Sequence, residues 1–194
     1  MEYLIEPELL HSQVRRWAES RGIRIGRGEL RSGQVASFDG VSVTLNADVD
    51  EGELGFYLLH TIGSIAQWAL APGKAARVFD ALRESKWQGD RRRLEQAIAA
   101  FQAFEELSSE YAVALLDELR LGTLAPRFSE FFRADLSAMS IFHRTGRLPD
   151  WNAFWRAWQR ELVQGTRAPR PFAPRPIPAF QPIRIEPQEV VRGE

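Results

Sequence analysis

Apolar residues recur along this chain at two spacings, and the places where the spacing changes mark its elements. Residues 6–21 carry Leu9, Leu10, Val14 and Trp17 at helical spacing, and Gly22 closes that run. Ile23 and Ile25 then alternate with arginine, as in a short strand. Residues 34–38 and 41–45 flank Asp39-Gly40, a strong signal for a tight hairpin. In the second of these strands Val41, Val43 and Leu45 alternate with Ser42, Thr44 and Asn46, which predicts one buried face. Asp50 or a neighbour is placed to cap a helix over about 51–70, which Ala71-Pro72-Gly73 ends. Further helices are expected over about 75–85, 90–119, 125–144 and 149–163. The last of these carries Trp151, Phe154, Trp155 and Trp158 on one stripe.

From Gly165 the pattern stops. Seven of the eleven prolines lie in the last thirty residues, which excludes helix and central strand and predicts an extended, polyproline-like tail. The chain therefore divides into a core over 1–123, helices packed on it over 124–164, and a tail over 165–194. The class is α+β, mostly helical, with a small antiparallel or mixed sheet.

Composition narrows the chemistry. With 25 basic and 26 acidic residues, there is no overall positive field to hold phosphates, and nucleic acid is not the expected partner. Cysteine is absent, which removes disulfides, thiolate ligands and cysteine nucleophiles together. The N-terminus lacks the basic-then-apolar order of a secretory signal. The longest apolar stretch, residues 54–70, is broken by His60, Thr61, Ser64 and Gln67, so it reads as a buried helix and not a membrane span. Only Lys74 and Lys86 stand against many arginines, a bias of GC-rich coding. These features point to a bacterial cytoplasm or a bacterial mobile element.

The segment that should carry chemistry is Tyr57-Leu58-Leu59-His60-Thr61-Ile62-Gly63-Ser64. His60 and Ser64 stand one turn apart on a narrow polar stripe. In many zinc peptidases those two positions are histidines that reach one metal, with a glutamate beside the first to take a proton from metal-bound water. The run from Val41 to Leu70 resembles the ImmA/IrrE metallopeptidase family, in which a strand ending in Asn leads through an acidic turn into an aromatic-Leu-x-His helix. The family's His-Glu-Leu-Gly-His stands against His60-Thr61-Ile62-Gly63-Ser64 here. His60 and Gly63 match; Thr61 replaces the base and Ser64 the second ligand. The family's third ligand precedes a Phe-Ala-x-x-Leu-Leu type run, matched by Tyr111-Ala112-Val113-Ala114-Leu115-Leu116. That places the ligand position on Leu107, with Glu106 and Glu110 as the nearby carboxylates. The resemblance covers about residues 5–120 and implies a zincin-like fold.

Threonine is no general base near neutral pH, and a serine hydroxyl is a poor zinc ligand. The expectation is therefore no catalysis, no cofactor, and a His60 hydrogen-bonded to a neighbour such as Thr61, Ser64 or Glu110. His11 reads as surface decoration, His143 as a helix-end residue near terminal carbonyls, and Arg91-Arg92-Arg93 as a solvated basic run. The expected function is protein binding or regulation, with a partner whose identity the chain does not name and an oligomeric state it does not reveal. An assembly protein using its tail and a zinc peptidase with an atypical site are the alternatives. The candidate contacts are Trp151, Trp155, Trp158, Arg170, Phe172, Arg175, Ile177 and Phe180, although the tryptophan face is read first as packed on its own domain, and the tail equally as a linker or a strap lying on that domain.

Overall fold

The computed structural model describes residues 7–31 and 34–177. Its elements run in the order α1 Pro7–Glu19, β1 Arg24–Gly28, β2 Ala36–Phe38, β3 Ser42–Asn46, α2 Glu51–Leu70, α3 Pro72–Gln88, α4 Arg91–Glu118, α5 Ala125–Thr145 and α6 Trp151–Val163. A short 3-10 turn, Gly122–Leu124, joins α4 to α5. The fold is α+β, mostly helical around a small sheet. None of the helices among the described residues is long and apolar enough to cross a membrane.

The sheet has strand order β1-β3-β2, with β1 parallel and β2 antiparallel to the central β3. Val43 and Leu45 on β3 are fully buried, and they meet Ile23, Ile25 and α1 in the core. The hairpin forms where expected, but Asp39 N donates to Ser42 O, so Gly40 and Val41 make the turn. The Asp39 side chain caps that turn by accepting from the backbone of Val41 and Ser42. Val41 is consequently exposed, not a member of the buried face. On α1 the inward stripe is Leu10, Val14, Trp17 and Ala18, while Leu9 faces out.

The central element is α2. Asp50 caps it by accepting from Gly52 N at 2.7 Å, and Ala71 ends it with a backbone bond to Gln67 O. Its apolar residues are buried on several sides, as its composition predicts. One glycine sets its distance from α4: a Cβ on Gly63 would lie 2.1 Å from Ser108 O, so only glycine permits this approach. Gly89, at φ +65°, turns α3 back into α4, whose first amides bond the Asp90 carboxylate. A single apolar cluster runs from Leu10 through the sheet and α2–α5 to Phe172, beyond the last helix.

Candidate functional site

The polar stripe of α2 comprises Glu53, Tyr57, His60, Ser64 and Gln67, spaced so that all fall on one face. Facing it, α4 presents Glu105, Ser108 and Ala112, and α5 presents Phe132 and Asp135. The two sets meet in a narrow buried seam. His60 Nε2 lies 3.2 Å from Glu105 Oε2, with each side chain only 14% exposed. The approach is off-axis, so His60 Nε2 makes no hydrogen bond among the described residues. The other surface of the imidazole is covered by Phe132, stacked at 4.2 Å between ring centroids and 10° between planes. Tyr57 packs edge-on against Phe131 and Phe132.

Burial governs protonation throughout this seam. It pushes Glu105 up to about 8, with the Asp135 charge adding to the effect. It pushes Asp135 up to about 7, with Glu53 adding. Burial also raises Glu53, against which the hydrogen bond from Trp151 acts. His60 is lowered to about 4 by burial, opposed in part by the Glu105 backbone. Near neutral pH the close pair is therefore a neutral imidazole beside a protonated carboxyl group, not an ion pair. That state is the cheaper one, because two charges held out of water with poor alignment would cost several kcal/mol.

Thr61 and Ser64 take no part in the pair. Thr61 Oγ1 donates to Tyr57 O at 2.8 Å, and Ser64 Oγ donates to His60 O at 3.2 Å, each bonding one turn back along its own helix. The carboxyl group that reaches His60 is Glu105, neither Glu106 nor Glu110. Glu106 pairs with Arg133 of α5 at 3.1 Å, and Glu110 with Arg175 at 2.9 Å. Register along α4 explains the choice. Ile98, Phe101, Glu105, Ser108, Ala112 and Leu115 repeat at three-and-four spacing along the face turned to α2, and Glu106 and Glu110 fall off that line. This spacing is the signal in the sequence that would have singled out Glu105; Asp135, seven residues beyond Phe128, carries the same signal on α5.

The zinc that the family resemblance implies does not fit these residues. The donor set is one imidazole and one carboxyl group that burial keeps protonated, and zinc requires three or four deprotonated donors. Among the described residues no group of three histidine, cysteine or carboxylate side chains is arranged to hold a metal. Deeper in the seam Gln67 Oε1 accepts from Ser108 Oγ at 2.6 Å, while Gln67 Nε2 makes no hydrogen bond among the described residues.

The other histidines differ from their expected settings. His143 packs between Phe101 and Phe142, not against helix-end carbonyls, and is lowered to about 4 by burial and by Lys86. His11 is half-buried, and its Nε2 is enclosed without a hydrogen bond among the described residues.

The tryptophan stripe of α6 faces its own domain. Trp151 and Trp155 both meet Phe131 edge-on, and Trp151 Nε1 donates to Glu53 at the end of the polar seam. Trp158 is buried, donates to Glu130, and is covered by the Arg167 guanidinium at 3.6 Å. Residues 166–177 then cross back over α5 and α4 as an extended strap. Phe172 is 5% exposed and lies under Arg133. Arg170 N bonds Glu130, Phe172 N bonds Ser129, and Arg175 bonds Glu110 through both its backbone and its side chain. Ile177 packs partly buried on the core, and Phe180 lies outside the described residues. Compared with known proteins, the chain matches no family model, no curated protein and no solved structure.

Proposed function

We propose that this chain is a non-catalytic, metallopeptidase-like module that works by binding another protein, in the manner of a bacterial regulator or mobile-element component. The observation that carries the reading is the arrangement at residues 60–64. The hydroxyls standing where a peptidase has its base and second ligand are turned back into their own helix. The histidine that persists is sealed between Glu105 and Phe132. The carboxyl group of the later helix α4 that reaches His60 is Glu105, two residues before the position at which the resemblance places the third ligand, so this proposal rests on the α2 segment and not on a matched ligand set. The order of elements, helix then small mixed sheet then central helix, agrees with the resemblance.

An atypical peptidase built on His60 and Glu105 is disfavoured because burial holds the Glu105 carboxyl group above and the His60 imidazole below their ordinary values, so the first is a poor base by protonation and the second by weak basicity. Metal analysis of the purified full chain tests the proposal. The expected result is zinc far below one equivalent and an unfolding temperature indifferent to chelator. Near-stoichiometric zinc that disappears in His60→Ala would overturn it.

A further inference from the structure

Residues 166–177 are held on α4 and α5 by the kinds of contact that protein grooves use to read extended peptides. Pro169, Pro171, Pro174 and Pro176 fix the backbone and remove its donors at those positions. Of the amides that remain between them, three are bonded: Arg170 N to Glu130 Oε1 at 3.1 Å, Phe172 N to Ser129 Oγ at 3.0 Å, and Arg175 N to Glu110 O at 3.1 Å. One side chain, Phe172, enters the apolar core, and the guanidinium of Arg133 closes over it at 4.2 Å. Arg175 adds a charge contact to Glu110 at 2.9 Å. Backbone donors read by fixed acceptors, one apolar anchor, and a basic residue three positions on facing an acidic one amount to a recognition code.

Upstream of Phe172 the segment is tied at Arg170, whose N–H bonds Glu130 and whose carbonyl accepts from Arg133, and at Arg167, which pairs with Glu161. The segment spans a polar cavity of about 610 Å³ between α4, α5 and α6, lined by Gln102, Glu106, Ser140 and Arg144 among others. Gly165, at φ +70°, provides the bend from which the segment starts.

From this geometry we infer that the α4–α5 groove is a docking site for an extended segment of a partner protein bearing a Pro-Phe core and an arginine three positions after the phenylalanine. The chain's own residues 166–177 fill that site until such a partner displaces them. The inference rests on the protein-binding reading above and names the surface and partner chemistry it would use. A tethered occupant acts at high effective concentration, so the free protein binds a competing peptide weakly, and loosening the tether strengthens that binding.

The test uses a fluorescent peptide with the sequence of residues 166–177, titrated into the full chain and followed by anisotropy. Arg175→Glu in the chain breaks the contact with Glu110 at a side chain that is 55% exposed, so folding is kept while the cis segment loosens. The expected result is about two- to threefold tighter peptide binding to this variant than to the unaltered chain, as suits a half-exposed pair whose backbone tether remains. Replacing phenylalanine by alanine in the peptide, at the position of Phe172, should cost at least tenfold in affinity. With Glu110→Arg in the chain, a peptide carrying glutamate in place of Arg175 should bind better than the unaltered peptide. Phe172→Ala in the chain is a second way to open the groove, with circular dichroism confirming the fold. Binding that ignores both the phenylalanine and the charge swap, or no binding to folded, loosened chains, would overturn the inference. Such a failure removes this groove and leaves the protein-binding reading in place. Stoichiometric zinc on His60 removes that reading without touching the peptide result.

Discussion

The polar seam between α2 and α4–α5 and the strap over α4–α5 handle polar groups in opposite ways. In the seam, side chains are out of water yet incompletely bonded: His60 Nε2 and Gln67 Nε2 make no hydrogen bond among the described residues, and His60 and Glu105 meet off-axis. In the strap, most of the chain is near solvent, yet three of the four backbone donors between Pro169 and Pro176 find acceptors, and Arg167 and Arg175 find carboxylates. A buried polar group left short of partners costs about 1–3 kcal/mol, whereas an exposed one costs little because water serves it. The seam is tolerable only because protonation keeps it neutral and because close packing leaves it no alternative. The polar groups of the strap carry no such constraint, and among residues 166–177 only Phe172 is buried in the core. The first region is fixed by the fold, and the second is the contact that the proposed exchange would release.

The largest effect should come from loosening the clamp on the seam. Gly63→Ala places a methyl group against Ser108 O, a backbone atom that cannot swing aside. The two helices must then separate, and a loss of about 3 kcal/mol or more is expected in urea unfolding. A loss below about 1 kcal/mol would mean that the helices part easily and that close packing does not hold the seam together.

The seam should next reveal itself in pH. Glu105 and Asp135 have folded-state pKa values raised by burial, so each contributes stability that is fully present below the ordinary carboxylate range. That contribution is lost as pH rises through about 7 for Asp135 and about 8 for Glu105. His60, lowered to about 4, acts in the opposite direction: its contribution is present above the ordinary imidazole value and is lost as pH falls toward 4. His143, also lowered to about 4, acts in the same direction as His60, and between pH 5 and 8 the two carboxyl groups still outweigh the two imidazoles. The protein should be less stable at pH 8 than at pH 5, by on the order of 2 kcal/mol. Glu105→Gln, which keeps the shape and cannot ionise, should flatten that slope in urea titrations at the two pH values. An unchanged slope would show that Glu105 is already ionised in the folded protein.

Much of the frame was legible from local signals, because each acts within a few residues. Asp50 and Ala71-Pro72-Gly73 bracket α2, Gly89-Asp90 turns α3 into α4, and the alternation around Val43 and Leu45 marks the central strand. The site was less legible, because it depends on register between helices far apart in sequence. Glu105 and Glu106 are adjacent and chemically alike, and only the three-and-four spacing of the neighbouring buried residues decides which one meets His60. Asp135 is hidden in the same way, on a face whose other members are aromatic. The strap was the hardest to read. A polyproline segment has no hydrophobic period, so nothing in its pattern says that Phe172 enters the core.

In the strap itself, the ring outweighs the charges. Removing the Phe172 side chain from the core should cost about 1.5 kcal/mol of global stability, near the lower end for burying such a ring. The figure is set low for a core aromatic on the proposed exchange, in which the segment detaches without opening α4 and α5. Limited proteolysis provides the sharper readout. Cleavage within 166–177 should accelerate in Phe172→Ala while the helical domain stays resistant. Equal acceleration of cleavage in α5 would mean that the strap is integral to the domain and not a separable contact.

The smallest effect should come from the ion pair between Arg175 and Glu110. One partner is 55% exposed and the other 27%, so water screens both. A double-mutant cycle of Arg175→Ala and Glu110→Ala should give a coupling of about 0.5 kcal/mol, falling further in high salt. Arg175 N also bonds Glu110 O, and that backbone contact survives both substitutions, so the segment retains one tether at this point. A coupling above about 2 kcal/mol would place the pair in a drier setting than its exposure indicates. The strap would then resemble the seam, with charges held out of water and a contact too costly to release, and the contrast between the two regions would fail.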